Sequence, residues 1–334
     1  MDIKNNLFNS PAKKLFLLAI LLLIALILSS LAGRFPLPGL QSPRALLESS
    51  LNRTILIHIR LPRVIISLFM GMALATAGLI FQTILNNPMV EPGFLGVSQG
   101  ASFGAALAIV LLSGKQWQIQ ILAITFGIAG LTFSIFLGSR FHFGHWVIRL
   151  VLAGIAVSAL FSSGLGILKY LADREEKLQE LSFWLLGGTG GVSWKNLLPI
   201  IPVLLSAFMI LFLMRWRLNL LSLDDETALS ISVNLKAERL IFLLCAVVVT
   251  SLCISLCGMI NWIGMIVPHI TRKIFGANTR YTVPATMLLG GLFMMICDDF
   301  ARVLFPAEIP LGIVTSIIGA VLFFPIMANN KVKA

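Results

Sequence analysis

The side chains in this sequence that could do chemistry are few, and their spacing suits ion pairing better than turnover. Arg60 and Arg63 flank Leu61-Pro62. Asp298, Asp299 and Arg302 lie together near the far end, and Asp224, Asp225 and Glu226 form an acidic trio followed by Thr227 and Ala228. Guanidinium forks and carboxylates pair in an oriented way, within one chain or across an interface. Asp298 stands four residues before Arg302, a spacing at which helical side chains meet, whereas Asp299 has no partner in that pattern. The other reactive residues assemble no site. His58, His142, His145 and His269 form no ligand set, and the His142/His145 loop has no acidic or Cys partner for a metal. Cys245, Cys253, Cys257 and Cys297 all lie in apolar runs; Cys253 and Cys257 share a helical face as small packing residues. No Ser-His-Asp set, paired carboxylates or G-x-x-x-x-G-K loop occurs, so neither catalysis nor ATP binding by that device is expected, nor any metal or cofactor held by the chain itself.

The elements that must position these groups are membrane spans. Of 334 residues 58% are apolar and only 12% charged, and the mean hydropathy is +0.96; soluble domains carry about twice that charge. The formal net charge of +11 belongs to helix ends, where basic residues meet headgroups. A nucleic-acid groove would interleave aromatic and basic residues, and no such patch is present, so nucleic acid is not an expected partner.

Lys13 and Lys14 precede a first apolar run, Leu15 to Leu31, read as an uncleaved span entering from the cytoplasm. Gly33 to Ile59 is expected outside. Further spans are predicted near Val64–Leu85, Phe94–Leu112, Ile119–Leu137, Val147–Leu171, Leu197–Met214, Leu240–Gly258, Ile263–Phe275, Val283–Leu304 and Leu311–Met327. The fold class is therefore an all-α integral membrane protein, one polytopic domain of about ten transmembrane helices with both termini in the cytoplasm. An amphipathic piece between the fifth and sixth spans, LQELSFWLLGG, is expected to lie at the membrane interface. Small residues at four-residue spacing, such as Gly71 with Ala75 and Gly100 with Gly104, suit close helix packing.

The stretch Arg60–Gly104 organises the chain. Two arginines lead into an apolar run, which breaks at Asn86-Asn87-Pro88 and restarts after Pro92. The arginines then sit at the outer face and the hinge at the inner face. Arginines there run against the positive-inside trend, which favours an external purpose. Broken backbone at membrane depth is tolerated where it lines a cavity, so the hinge suits a gate.

Four stretches now carry a resemblance: RLPR at Arg60–Arg63 leading to Asn87-Pro88 and Gly96; LSLDDETALSISVNL at Leu221–Leu235; IGMIVPHITR at Ile263–Arg272; and DDFAR with EIPLGIVTSIIGA between Asp298 and Ala320. In order and spacing, from about Leu51 onward, the chain resembles the FecCD family, permease subunits of ABC importers for iron-siderophore, haem and cobalamin. The resemblance implies a cobalamin-importer-like bundle working as a homodimer with two ATP-binding subunits, which hold the ATP and magnesium, and with a periplasmic or lipid-anchored substrate-binding protein. It implies that Arg60, Arg63 and Arg302 receive acidic residues of that binding protein. The inner segment Arg215–Arg239, with Asp224, Asp225, Glu226, Thr227 and Ala228 at its centre, would couple to the ATP-binding subunit. Asn87, Pro88 and Met89 become gate residues, joined on the path by Asn261 and Trp262. Two departures from the family stand out. Asp224 replaces a Gly, which alters a turn. Gly258-Met259-Ile260-Asn261-Trp262 replaces Gly-Pro-Ile-Gly-Phe, and the loss of Pro and Gly is expected to straighten that turn.

The function expected is that of a permease in the bacterial cytoplasmic membrane, importing a metal chelate along a dimer axis lined by the second, third and eighth spans. Iron-siderophore is the first choice of cargo, with haem, cobalamin and molybdate or tungstate as alternatives. A transporter driven by an ion gradient is the rival of a different class. It would need an ionisable residue near mid-membrane, and Asp298 comes nearest to that requirement.

Overall fold

Ser10 opens the first helix by accepting a hydrogen bond from the Lys13 amide at 3.3 Å. Pro11 occupies the first turn, where a missing N–H costs nothing. The computed structural model describes residues 10–35, 38–144, 146–173, 176–222, 235–303 and 307–328. Helix α1 (Pro11–Leu31) leaves most of its length uncovered, as a lipid-facing span does. A two-residue antiparallel ribbon follows, β1 (Ala32–Gly33) paired with β2 (Gly39–Leu40), then short helices α2 (Pro43–Glu48) and α3 (Ser50–Ile55).

Helix α3 does not end before the second span. It passes through one π-turn, Leu56–Arg60, directly into α4 (Leu61–Ile84), so Ser50–Ile84 is a single 35-residue rod. At 1.5 Å per residue it is ~52 Å long, well beyond a hydrocarbon core of ~30 Å. A π-turn disturbs the backbone hydrogen-bond ladder, and here the Trp194 indole N–H donates to the Ile57 carbonyl at 2.7 Å. The span expected from Val64 is therefore the lower part of a longer rod.

A 3-10 turn, Pro92–Leu95, leads into α5 (Val97–Leu111), followed by α6 (Gln116–Arg140), α7 (Trp146–Leu171), α8 (Lys177–Leu185), α9 (Trp194–Leu197) and α10 (Ile201–Leu213). After a second 3-10 turn, Arg217–Ser222, come α11 (Leu235–Cys257), α12 (Ile263–Phe275), α13 (Thr279–Val303) and α14 (Leu311–Ala328). Among the described residues six stretches are long and apolar enough to cross a membrane: α1, the α3–α4 rod, α6, α7, α11 and α13. Helices α5, α10 and α14 are shorter and apolar. With amphipathic α12 these make up the expected bundle of about ten helices. At 15 and 13 residues, α5 and α12 are only ~20–22 Å long, too short to cross alone. Each follows a non-helical stretch.

Helix α4 is the hub, buried along most of its length and packed against α11, α12 and α13. Glycine makes those contacts close. A Cβ on Gly71 would lie 2.1 Å from the Gly290 carbonyl oxygen, and one on Gly78 would lie 1.8 Å from that of Gly264. In a membrane, where lipid supplies no hydrophobic drive between helices, such backbone proximity is what holds a bundle together. The main core surrounds α4 and α11, and a second apolar cluster joins α5, α6 and α8. Helix α8 packs one apolar face on the bundle: Leu181 is fully buried in that second cluster, with Leu178, Trp184 and Leu185 packed against it.

Candidate functional site

The three arginines singled out by sequence meet at one end of the bundle, but not as an exposed rim. Arg60, Arg63 and Arg302 are only 4%, 8% and 5% exposed. The expectation of a solvent-facing arginine surface is corrected, because the chain supplies its own acceptors. Arg63 donates through Nε to both carboxylate oxygens of Asp298 at 3.1 Å and through Nη1 to Glu308 Oε1 at 2.8 Å. Thr189 donates to Asp298 Oδ1 at 2.5 Å, so a carboxylate with no exposed surface has several charge-assisted donors.

Arg302 reaches Asp298 at 3.7 Å, the expected i,i+4 pair, but its closer acid is Asp299, which accepts from Nε at 3.2 Å. Ser29 on α1 donates to the same Asp299 oxygen at 2.8 Å, and Arg302 also donates to the Ser29 carbonyl and hydroxyl. Asp299 thus has a role that its sequence context did not reveal: it locks α1 to α13. Arg60 donates to the Leu31 and Phe35 carbonyls and to Gln41 Oε1, at 3.3, 2.6 and 3.0 Å, which pins the ribbon to the rod. The network therefore joins α1, α4, α13 and the Thr189 loop. In it Arg63 and Arg302 pair with Asp298, Asp299 and Glu308, and with Arg60, held by carbonyls and Gln41, the formal charges sum to zero. Beside it lies a cavity of about 480 Å³, bordered by Arg63, Glu308, Thr189, Gln116 and Asn196.

At the opposite end the Asn86–Val90 hinge forms as its residue types require. Asn86 adopts φ +46°, a left-handed conformation Asn tolerates. The Asn87 side-chain oxygen accepts from the Met89 amide at 3.0 Å, closing an Asx turn. Pro88 and Met89 are exposed at the tip, and Val90 returns to the core.

The second break does not straighten. Gly258 and Trp262 take φ +70° and +75°, so the chain stays out of helix from Gly258 until α12 starts. The Trp262 ring packs against Gly319 and stands edge-on to Phe323 at 5.8 Å, contacts that hold a conformation rare for a bulky residue. Asn261 is exposed.

The two breaks touch. Glu91, just beyond the hinge, accepts a hydrogen bond from the Trp262 amide at 3.3 Å. A carboxylate there suits the positive end of α12, while burial pushes the Glu91 carboxyl above the usual range. Gln82 fastens the same region: it donates to the Gly264 and Met265 carbonyls and accepts from Arg272 at 2.6 Å. Sequence reasoning missed Glu91, Gln82, Thr189 and Glu308. The available signal was Glu91 itself, a lone acid between apolar runs.

The proposed coupling residues Asp224, Asp225, Glu226, Thr227 and Ala228 lie outside the described residues. Their flanks are placed. Arg217 pairs with Glu238 across the segment. Asn219 accepts from the Thr279 amide at 2.8 Å, and the Thr279 hydroxyl donates to the Arg215 carbonyl at 2.6 Å. The inner segment is thereby tied to the first turn of α13, the helix whose last turn carries Arg302.

The profile of the FecCD transport family matches residues 21–329. Among curated proteins the chain is 36% identical over 324 residues to a molybdate import system permease protein of Haemophilus influenzae, covering 94% of this chain and 95% of that one. It is 39% identical over 284 residues to a probable iron chelatin transport system permease protein of Helicobacter pylori, covering 85% of each. A solved inward-facing conformation of a metal-chelate type ABC transporter superposes with a TM-score of 0.86 at 35% identity, covering 95% of this chain and 99% of the other.

Proposed function

Because this chain belongs to the FecCD transport family, it is a membrane permease of an ATP-binding-cassette importer rather than an enzyme, and we propose that its cargo is a metal chelate of the iron-siderophore class. The observation that carries this choice is the charge balance at the outer mouth. Arg63 and Arg302 pair with Asp298, Asp299 and Glu308, and the three acids balance these two arginines and Arg60 in the formal sum, so the entrance is no net positive trap for a small oxyanion. A bulky chelate needs room and small polar walls more than a bare cation. The iron chelatin relative from Helicobacter pylori agrees with that chemistry.

Permeases of this kind work with ATP-binding subunits and a substrate-binding protein. In the proposed assembly two copies of this chain stand over two such subunits in a bacterial inner membrane, with both termini cytoplasmic. A periplasmic or lipid-anchored binding protein docks at the Arg60–Arg63–Arg302 network. Glu308 is the partner of Arg63 that faces water, with 56% of its side chain exposed. An incoming carboxylate exchanges with it without leaving the buried guanidinium unpaired. Below, closure of the ATP-binding subunits acts on Arg215–Arg239 and, through Thr279, on α13. The substrate passes between the copies along α4, α5 and α12, gated by Asn87, Pro88 and Met89 and by Asn261 and Trp262.

A second cargo, molybdate, is suggested by the Haemophilus influenzae relative, which aligns with nearly the whole chain. The deciding measurement is ATP-dependent uptake into proteoliposomes holding the permease, its ATP-binding subunit and its binding protein, offered radio-iron siderophore, haem, cobalamin or molybdate in turn. Accumulation of the iron chelate is expected. Uptake of molybdate alone overturns the chelate assignment and leaves the importer intact.

A further inference from the structure

We propose that a crevice at the inner end of the bundle, the end that carries the Asn87 hinge, binds one anionic phospholipid. The crevice has a volume of about 710 Å³, far above the water-sized voids of a packed interior. It opens where the end of α6 meets the first turns of α7 and α11. Ile135, Leu150, Leu240 and Leu243 give it apolar walls, and Arg149 and Arg239 bring two guanidinium groups to it.

Three observations point to a lipid rather than a soluble partner. First, the walls run into apolar surface: Ile135, Phe136, Ile148 and Leu240 are 41%, 52%, 54% and 49% exposed. A water-soluble surface would leave that belt bare, whereas an acyl chain continues it. Second, Arg149 is committed only on one side. Its Nη1 donates to the Phe141 carbonyl at 2.7 Å, its Nε is buried without a hydrogen-bond partner, and no carboxylate pairs with it among the described residues. Third, the Arg239 guanidinium lies 5.1 Å over the Trp146 ring, which pairs a flat cation with an amphipathic indole, the residue types that favour the headgroup level. Arginine forks fit phosphate oxygens. A phosphodiester with a net negative charge and two acyl chains meets the unpaired side of Arg149 and the apolar walls together. Because the crevice lies between α6, α7, α11 and the end of α4, its occupant would brace the helices that flank the inner hinge.

The test uses the full-length permease, purified in detergent and titrated with phosphatidylglycerol, with phosphatidylcholine of the same acyl chains, and with inorganic phosphate, followed by native mass spectrometry. One phosphatidylglycerol is expected to be retained in preference to phosphatidylcholine. The Arg149→Ala/Arg239→Ala double variant is expected to bind it roughly thirty-fold more weakly, from about 1 kcal/mol for each cation near an anionic surface. Leu243→Trp keeps both charges but fills the crevice, and should lose the lipid as well, so the assignment stays testable if the alanine variant does not fold. Equal retention of the two lipids, or unchanged phosphatidylglycerol binding in both variants, overturns the proposal. Displacement of phosphatidylglycerol by inorganic phosphate overturns it in favour of a free-anion site.

Discussion

Asp298 is the residue whose loss should be felt most widely, because Arg63, Thr189 and Arg302 all converge on it in a region closed to water. Asp298→Ala leaves Arg63 buried without its main partner, a change that costs about 3–5 kcal/mol. Glu308→Ala removes a half-exposed partner and should cost less than about 1 kcal/mol. Thermal unfolding of both variants in detergent checks the contrast; similar losses would mean that the network is not centred on Asp298.

Glu91 gives a second expectation at this scale. Glu91→Ala strips the Trp262 amide of its acceptor and should cost about 1–3 kcal/mol, whereas Glu91→Gln keeps an acceptor and should cost less. Burial raises the Glu91 carboxyl in the fold, so folding disfavours its charged form relative to the unfolded chain. Stability is then fully present below the ordinary carboxylate range and falls as pH rises through the raised value. Melting curves across that window should slope down more in the wild type than in Glu91→Gln. Parallel slopes would exclude Glu91 as the source. The arginines were legible from type and spacing, but their burial was not, since it depends on Ser29, Gln41, Thr189 and Glu308, which are remote in sequence.

At the scale of elements, helix length and glycine position carry the argument. Gly78→Val would drive a side chain into the Gly264 carbonyl at the contact of α4 and α12. Backbone cannot yield there as a side-chain tip would, so the variant should lose most of its folded yield, read by size-exclusion chromatography. Gly144→Val, where nothing lies within reach of a Cβ, is the control and should lose little more than the cost of its own turn conformation. The hinge was readable in advance, since Asn86-Asn87-Pro88 encodes a left-handed residue, an Asx turn and a helix stop in local chemistry. The Gly258–Trp262 turn was misjudged because Trp262 is held at positive φ by Gly319 and Phe323 on another helix. The rod from Ser50 was shortened in the reading because polar residues over Asn52–Arg60 look external. They are helical, with Trp194 closing the π-turn.

At the scale of the whole molecule, an importer driven by ATP should need its nucleotide-binding partner and ignore the proton gradient. Uptake in vesicles is expected to stop without that subunit and to continue when an uncoupler is added in the presence of ATP. The reverse pattern would favour the ion-coupled rival. Asp298 no longer serves that rival, because it is paired with two arginines rather than standing alone.

The sequence by itself determined the membrane class, the order of the helices, the Asn86–Pro88 hinge and the family, because each is written in local composition or in motifs along the chain. Only the tertiary structure decided which acids Arg63 and Arg302 meet, that Asp299 and Ser29 bind α1 to α13, and that Glu91 joins the two broken segments. Those pairings span 171 or more residues wherever they cross between elements. In a buried site the partner is chosen by packing geometry, which no local pattern records.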